Sequence, residues 1–439
     1  MDDNRDTQYA RELATLVRAE TISAFGQTDL TKFYSFCEML KEMFPNIFSV
    51  CEFEDFNGSF LMKWKGKTDK KPILLMNHYD VVEAPGKWKY SPFEAEMHDG
   101  KLWGRGVLDN KGGLYCMLKA ADELAKDGFV PECDVYFESA CTEEIDGSGC
   151  DTISQTLKDR GLTFDLILDE GGMIVSEPIG GAKGLFAMIG VGEKGTADLK
   201  FIARSKGGHA STPGKNTPLI RLGKFMLECE KTDIFKVEIP DVIAEMFKSI
   251  APSMSGVLKH VLSKPEAYKP LLKKVIPSVS DTAGAMLKTT LAFTMAQGSE
   301  GTNVMPQEAW VVGNMRFSHH QGQKESFRVI TELAKKYDLE TEILDPGFES
   351  SISDYKSEAF KKVCAAVDEI FPGVRSVPFI TNSASDNRYM SRVSNNCFRF
   401  TPFVIDDEQL ESIHGLNENV DIKCFGKAVD FYKYLIKSF

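Results

Sequence analysis

The order of apolar and polar positions divides the chain into two textures. Between residues 9 and about 192, segments with helical spacing alternate with short apolar runs. Thr31–Met43 and Asn110–Lys126 carry apolar residues at helical spacing, which predicts helices. Apolar runs at Pro72–Asn77, Asp134–Ala140 and Phe164–Leu168 predict strands. This alternation predicts an α/β fold, a mainly parallel sheet flanked by helices. Each run ends in acidic residues or histidine: His78 and Asp80, Glu143 and Glu144, Asp169 and Glu170. Ligands of open α/β sheets gather beyond the carboxyl ends of the strands. That is where these side chains fall.

The texture changes after Glu193-Lys194-Gly195. Thr196–Arg204 alternates like a half-exposed strand, and Pro218–Lys231 has the pattern of an amphipathic helix. Asp241–Lys288 is helical and basic in places, and longer than a minimal lid needs. Its expected role is to enlarge the core of the insert, with lining the cleft as the alternative. Strands are predicted at Leu291–Ala296, Ala309–Phe317 and Glu340–Leu344, with a helix at Glu325–Lys336. Residues 193–348 therefore form an expected α+β lid or dimerisation domain. It interrupts a catalytic domain made of residues 1–192 and 349–439, whose last part carries helices near Glu358–Ile370 and Lys423–Lys437.

Composition narrows the function classes. A chain of 439 residues with 43% hydrophobic and 26% charged residues is globular and suits two or three domains. A net charge of −12 argues against nucleic acid or an anionic membrane as partner. No stretch approaches the roughly 18 apolar residues of a membrane span. The polar start Met1-Asp2-Asp3-Asn4 does not fit a secretory signal. Ten cysteines are scattered from Cys37 to Cys424 without a Cys-x-x-Cys pair, as expected of free, mostly buried thiols in a reducing cytoplasm.

Five short segments carry candidate chemistry. His78-Tyr79-Asp80 offers an imidazole with a carboxylate placed to fix its tautomer. In Gly104-Arg105-Gly106-Val107-Leu108-Asp109-Asn110, glycines on one side and Gly112-Gly113 on the other suggest a tight turn that points Asp109 inward. Asp109 and Asn110 equally suit a helix N-cap. In Thr142-Glu143-Glu144, adjacent carboxylates repel unless a cation or a proton intervenes. Leu168-Asp169-Glu170-Gly171 is a second acidic pair, and His414-Gly415-Leu416-Asn417-Glu418 adds a histidine late in the chain. Taken singly, each is equally well explained by solvated loops and caps.

In order and context these segments resemble the zinc exopeptidase and deacylase family that includes aminoacylase, succinyl-diaminopimelate desuccinylase and peptidase T, nearest its vacuolar carboxypeptidase S branch. The resemblance covers nearly the whole chain. It implies two zinc ions, with manganese and cobalt also compatible, bridged by Asp109. His78 and Glu170 would complete one site, with Asp169 as the alternative to Glu170; Glu144 and His414 would complete the other. It further implies Glu143 as general base and Asp80 as the residue orienting His78. Gly207-Gly208-His209 resembles a loop whose histidine helps hold the oxyanion, often in the active site of a dimer partner. Asn303, Arg316, Asp386 and Arg388 match polar and carboxylate-binding positions, although each arginine is equally well a structural ion pair. His98, His260, His319 and His320 match no motif and are expected in solvent. The implied activity is cleavage of an amide bond by a dipeptidase or carboxypeptidase releasing a C-terminal amino acid. The alternative is an N-acyl amino acid deacylase, and a homodimer through the insert is expected in either case. A catalytically dead relative would have lost the base or a ligand, whereas Glu143 and the full ligand set are present.

Overall fold

The computed structural model describes residues 4–279 and 281–439. The three apolar runs form the strands Ile73–Met76, Val135–Ser139 and Leu166–Asp169, buried along their whole length. Ile73–Met76 lies between the other two and parallel to both. Strands buried on both faces need cover on both sides. The helices Arg5–Val17, Lys111–Lys126, Glu358–Ile370 and Cys424–Ser438 cover one face, over Ile73, Leu75, Val135, Phe137, Leu166 and Leu168. Ser148–Asp159 and the short helix Asn387–Met390 cover the other, over Leu74, Met76, Tyr136 and Ile167.

The sheet continues to ten strands. The antiparallel hairpin Cys51–Phe56/Ser59–Trp64 closes one edge. Beyond Leu166–Asp169 come Cys397–Arg399, then Leu185–Glu193 with Arg375–Thr381 parallel to it. The sheet is thus mixed, with a parallel centre.

A single residue, Lys194, separates Leu185–Glu193 from Gly195–Arg204, which belongs to a second, antiparallel sheet. That sheet runs in the order Thr290–Gln297, Glu308–Phe317, Gly195–Arg204, Glu340–Phe348. Its alternation places Ala197, Leu199, Phe201 and Ala203 in a separate core beneath the helices Pro218–Lys231 and Gly322–Lys336.

The helical stretch departs from expectation. Asp241–Ile250 packs on Arg375–Thr381, and Val242, Ile243, Met246, Phe247 and Ile250 join the core of the large sheet rather than that of the insert. One apolar face fixes that the helix must be covered, but does not fix which surface covers it. Among the described residues no helix is long and apolar enough to cross a membrane. All ten cysteines are free.

Candidate metal centre

Loops at the carboxyl ends of three parallel strands carry His78, Glu144 and Glu170, and two further segments, before the helix Lys111–Lys126 and after the helix Asp407–Ser412, bring Asp109 and His414 to them. His78 follows Ile73–Met76 and is almost fully buried. Its Nδ1 contacts the Asp80 backbone oxygen (3.0 Å) and lies 3.4 Å from Asp80 Oδ1. Its Nε2 lies 2.9 Å from Asp109 Oδ1 and 3.2 Å from Glu170 Oε1. The second histidine, His414, holds its Nε2 3.0 Å from both Asp109 Oδ2 and Glu144 Oε2. Asp109 therefore faces a different imidazole with each oxygen.

Asp80 has no exposed surface. It accepts hydrogen bonds from Ser23 Oγ (2.7 Å) and from the backbone N–H groups of Glu143 (3.2 Å) and Glu144 (3.1 Å). Of the acidic pair at the end of Leu166–Asp169, Glu170 is the one beside His78. Asp169 turns away and accepts from the Asn387 N–H at 3.0 Å.

Ligand atoms of His78, Asp109 and Glu170 lie within 4.8 Å of one another, as do those of Asp109, Glu144 and His414. A third set joins Glu143 to His78 and Glu144 within the same distance. Burial, reinforced by nearby carboxylates, drives Glu143 well above the usual carboxylate range and Glu170 up to about 8. Against the pull of burial, the Glu170 charge and hydrogen bonds to Asp109 and Asp80 raise His78. Hydrogen bonds that His414 donates to the Asp109 and Glu144 carboxylates raise it to about 10. So many carboxylates in low dielectric are stable only against compensating positive charge. Imidazole and carboxylate donors in two sets sharing one bridging residue fit two divalent ions of the zinc, manganese or cobalt type.

A cavity of about 580 Å³ opens on this cluster, with Asp109, Glu143, Glu170 and His414 in its lining. Its remaining wall is largely apolar, including Met173, Val175, Met188, Met286, Phe379 and Leu410, with Thr381, Ser383 and Ser385 among its polar members. No periodicity announces this lining, because its residues come from several helices, strands and loops far apart in sequence.

The other sequence-level candidates lie outside the cavity wall. His209 is exposed on the two-residue strand Gly208–His209, paired with Val304–Met305, and its Nδ1 contacts Ser211 Oγ at 2.8 Å. Exposed Asn303 neighbours it, its carbonyl accepting from the Ala210 N–H. Arg316, half-buried on Glu308–Phe317, donates through Nε to Asn314 (3.2 Å). Arg388 stands behind the wall, donating to the carbonyls of Ser385 (3.0 Å) and Asp146 (3.3 Å) between the rings of Phe348 and Tyr389. Asp386 is buried with neither carboxylate oxygen hydrogen-bonded, and burial raises it to about 8. His319, expected in solvent, has a buried Nε2 without a hydrogen-bond partner.

Residues absent from the sequence-level set support the centre. Ser23 holds Asp80, and a buried Arg105–Glu418 pair underlies the Asp109 loop. The places of Arg105 four residues before Asp109 and of Glu418 four residues after His414 were the hints to it.

The sequence matches Peptidase family M20/M25/M40 over residues 74–438. It is 30% identical to "Probable carboxypeptidase S-like 2" of Dictyostelium discoideum, over 99% of this chain and 85% of that protein. It is 27% identical to the human "N-fatty-acyl-amino acid synthase/hydrolase PM20D1", over 94% of this chain and 84% of that one. In fold it is similar to the M20 family metallo-carboxypeptidase Sso-CP2 of Sulfolobus solfataricus, with a TM-score of 0.71, 20% identity and 98% of each chain covered.

Proposed function

Because the chain belongs to Peptidase family M20/M25/M40 and is a hydrolase of that family, we propose that it cleaves the amide bond of N-acyl amino acids carrying an apolar acyl chain. The observation that carries this reading is the apolar cavity opening directly on Asp109, Glu143, Glu170 and His414. An acyl chain in contact with Met173, Val175, Met188 and Leu410 would gain about 0.8 kcal/mol per buried methylene. The similarity to an N-fatty-acyl-amino acid hydrolase supports the same reading.

His78, Asp109 and Glu170 would hold one zinc ion, and Asp109, Glu144 and His414 the other. When bound, such a pair supplies a water of lowered pKa and polarises the scissile carbonyl. Glu143, which lines the cavity within 4.8 Å of the His78 and Glu144 ligand atoms, would accept a proton from the attacking water on its carboxylate. It then returns the proton to the leaving nitrogen. Asp80 orients His78 and fixes the backbone of Glu143. Of the two arginines, Arg316 is the better partner for a substrate carboxylate. Its one hydrogen bond uses Nε, and it makes no ion pair among the described residues. His209 and Asn303 would serve the cavity of a second copy in a homodimer, since both are exposed and neither lines the cavity of their own chain.

A second reading, a dipeptidase or carboxypeptidase, is favoured by the similarity to a carboxypeptidase S-like protein. Zinc-loaded and chelator-stripped protein assayed on N-acetyl and long-chain N-acyl amino acids and on dipeptides separates the two. The expected result is metal-dependent release of free amino acid, fastest from long-chain substrates. Preference for dipeptides would establish the second reading, and no turnover with zinc, manganese or cobalt would overturn both.

A further inference from the structure

The two loops that carry Asp109 and His414 are tied together by one buried ion pair. Glu418 has no exposed surface, and its carboxylate accepts four hydrogen bonds. Oε1 takes the backbone N–H groups of Leu108 (2.8 Å) and Asp109 (3.1 Å). Oε2 takes the Gly106 N–H (3.0 Å) and Arg105 Nη1 (2.7 Å). The Glu418 backbone oxygen accepts from the Gly104 N–H at 2.9 Å. Arg105 completes the tie from the other side, donating through Nη2 to the Gly415 carbonyl at 2.9 Å.

The local backbone is shaped to allow this. Gly106 has φ +88°, and a Cβ there would meet Val81 Cγ1 at 2.9 Å. Only glycine lets the chain turn so that the N–H groups on both sides of Val107 converge on one carboxylate. A buried ion pair contributes little to stability compared with apolar residues of the same volume. What this pair does supply is registration. The N–H of Asp109, the residue shared by both triads, is bonded to a side chain four positions after His414.

We infer that Glu418 and Arg105 are the positioning pair of the metal centre, holding Asp109 and His414 at the mutual distance a bridged pair of ions requires. Neither residue touches a ligand side chain or the cavity; they act through the backbone that carries the ligands. The inference rests on the two-metal reading of the site.

The test compares wild type, Glu418→Gln and Arg105→Lys by cobalt titration, reading the visible absorption of the bound ions, and by zinc competition against a chelator. Circular dichroism checks the fold. Glutamine replaces one acceptor oxygen with an NH2 group facing existing donors. Lysine keeps the charge but loses the fork that reaches Gly415. Folded variants are expected to lose metal affinity about 10- to 100-fold, the magnitude for residues that orient ligands. The cobalt spectrum is expected to change at both ions, because Asp109 serves both. A merely structural role would lower the melting temperature and leave affinity and spectrum as in wild type, which overturns the inference. Glu418→Asp decides by the same two readouts if Glu418→Gln does not fold. Wild type failing to bind two ions would overturn the two-metal reading and this inference with it; wild type binding two ions beside unaltered variants would overturn the inference alone.

Discussion

The carboxylate of Asp80 accepts a hydrogen bond from the backbone N–H of Glu143 at 3.2 Å, and the same carboxylate lies 3.4 Å from His78 Nδ1. One buried side chain therefore sets both the imidazole and the segment that carries the proton acceptor. Asp80→Asn replaces one acceptor oxygen with a donor that cannot take the N–H of Glu143 or Glu144. The expected outcome is a folded protein with kcat lower by about 10- to 100-fold. Steady-state kinetics with circular dichroism checks it, and wild-type kcat would remove Asp80 from the mechanism.

Glu143→Gln keeps the shape of the side chain and removes its capacity to take a proton. Turnover should fall by about 100- to 10,000-fold, while zinc content stays at the wild-type level because neither of the two triads that share Asp109 includes Glu143. Metal analysis beside single-turnover kinetics measures both quantities. Activity near wild type in the metal-loaded variant would sink the assignment of the base.

Leu410 lines the cavity and is 50% exposed, so a charge there leaves the core intact. Leu410→Glu should raise KM for long-chain N-acyl substrates and leave N-acetyl substrates nearly unchanged. Each methylene that loses its apolar contact costs about 0.8 kcal/mol, roughly fourfold in KM. A chain-length series shows whether the penalty grows with length; an equal effect on all substrates would speak against acyl binding in this cavity.

Burial, aided by Arg399, His320 and Lys194, lowers His319 to about 4 from the ordinary 6.5. Between those values the unfolded chain binds a proton that the folded chain refuses. The stability from this residue is therefore complete above pH 6.5 and is lost as pH falls through about 4. The slope is about 1.4 kcal/mol per pH unit in that window. Urea unfolding across the window should show a shallower pH dependence for His319→Gln than for wild type. Parallel curves would refute this.

The sequence discloses most where function and local pattern coincide. Ile73–Met76, Val135–Ser139 and Leu166–Asp169 are apolar runs with polar ends, and those ends supply His78, Glu144 and Glu170. Asp109 is legible from the glycines around it, and His414 only from the resemblance. The Arg105–Glu418 contact spans 313 positions and leaves no periodic trace. Cys397–Arg399 is a strand of three residues, too short for alternation to register. Asp241–Ile250 shows an apolar face, yet what it covers depends on a strand more than 120 positions later, Arg375–Thr381. A pocket wall assembled from elements far apart in sequence is likewise invisible before folding, so the apolar chamber that shifts the proposed substrate toward acyl chains appears only in three dimensions.

The passage between the two sheets has a consequence for protein engineering. The chain leaves the large sheet at Glu193, and Thr196 pairs with Phe348, where it is about to return. Departure and return stand one strand spacing apart, about 4.8 Å, so the intervening segment could be excised and the gap closed with a short splice. Excision would nevertheless pull Val242, Met246, Phe247 and Ile250 out of the host interior and uncover Arg375–Thr381. The segment carrying the second sheet is modular in its wiring and not in its packing, and a shortened enzyme would have to retain Asp241–Ile250.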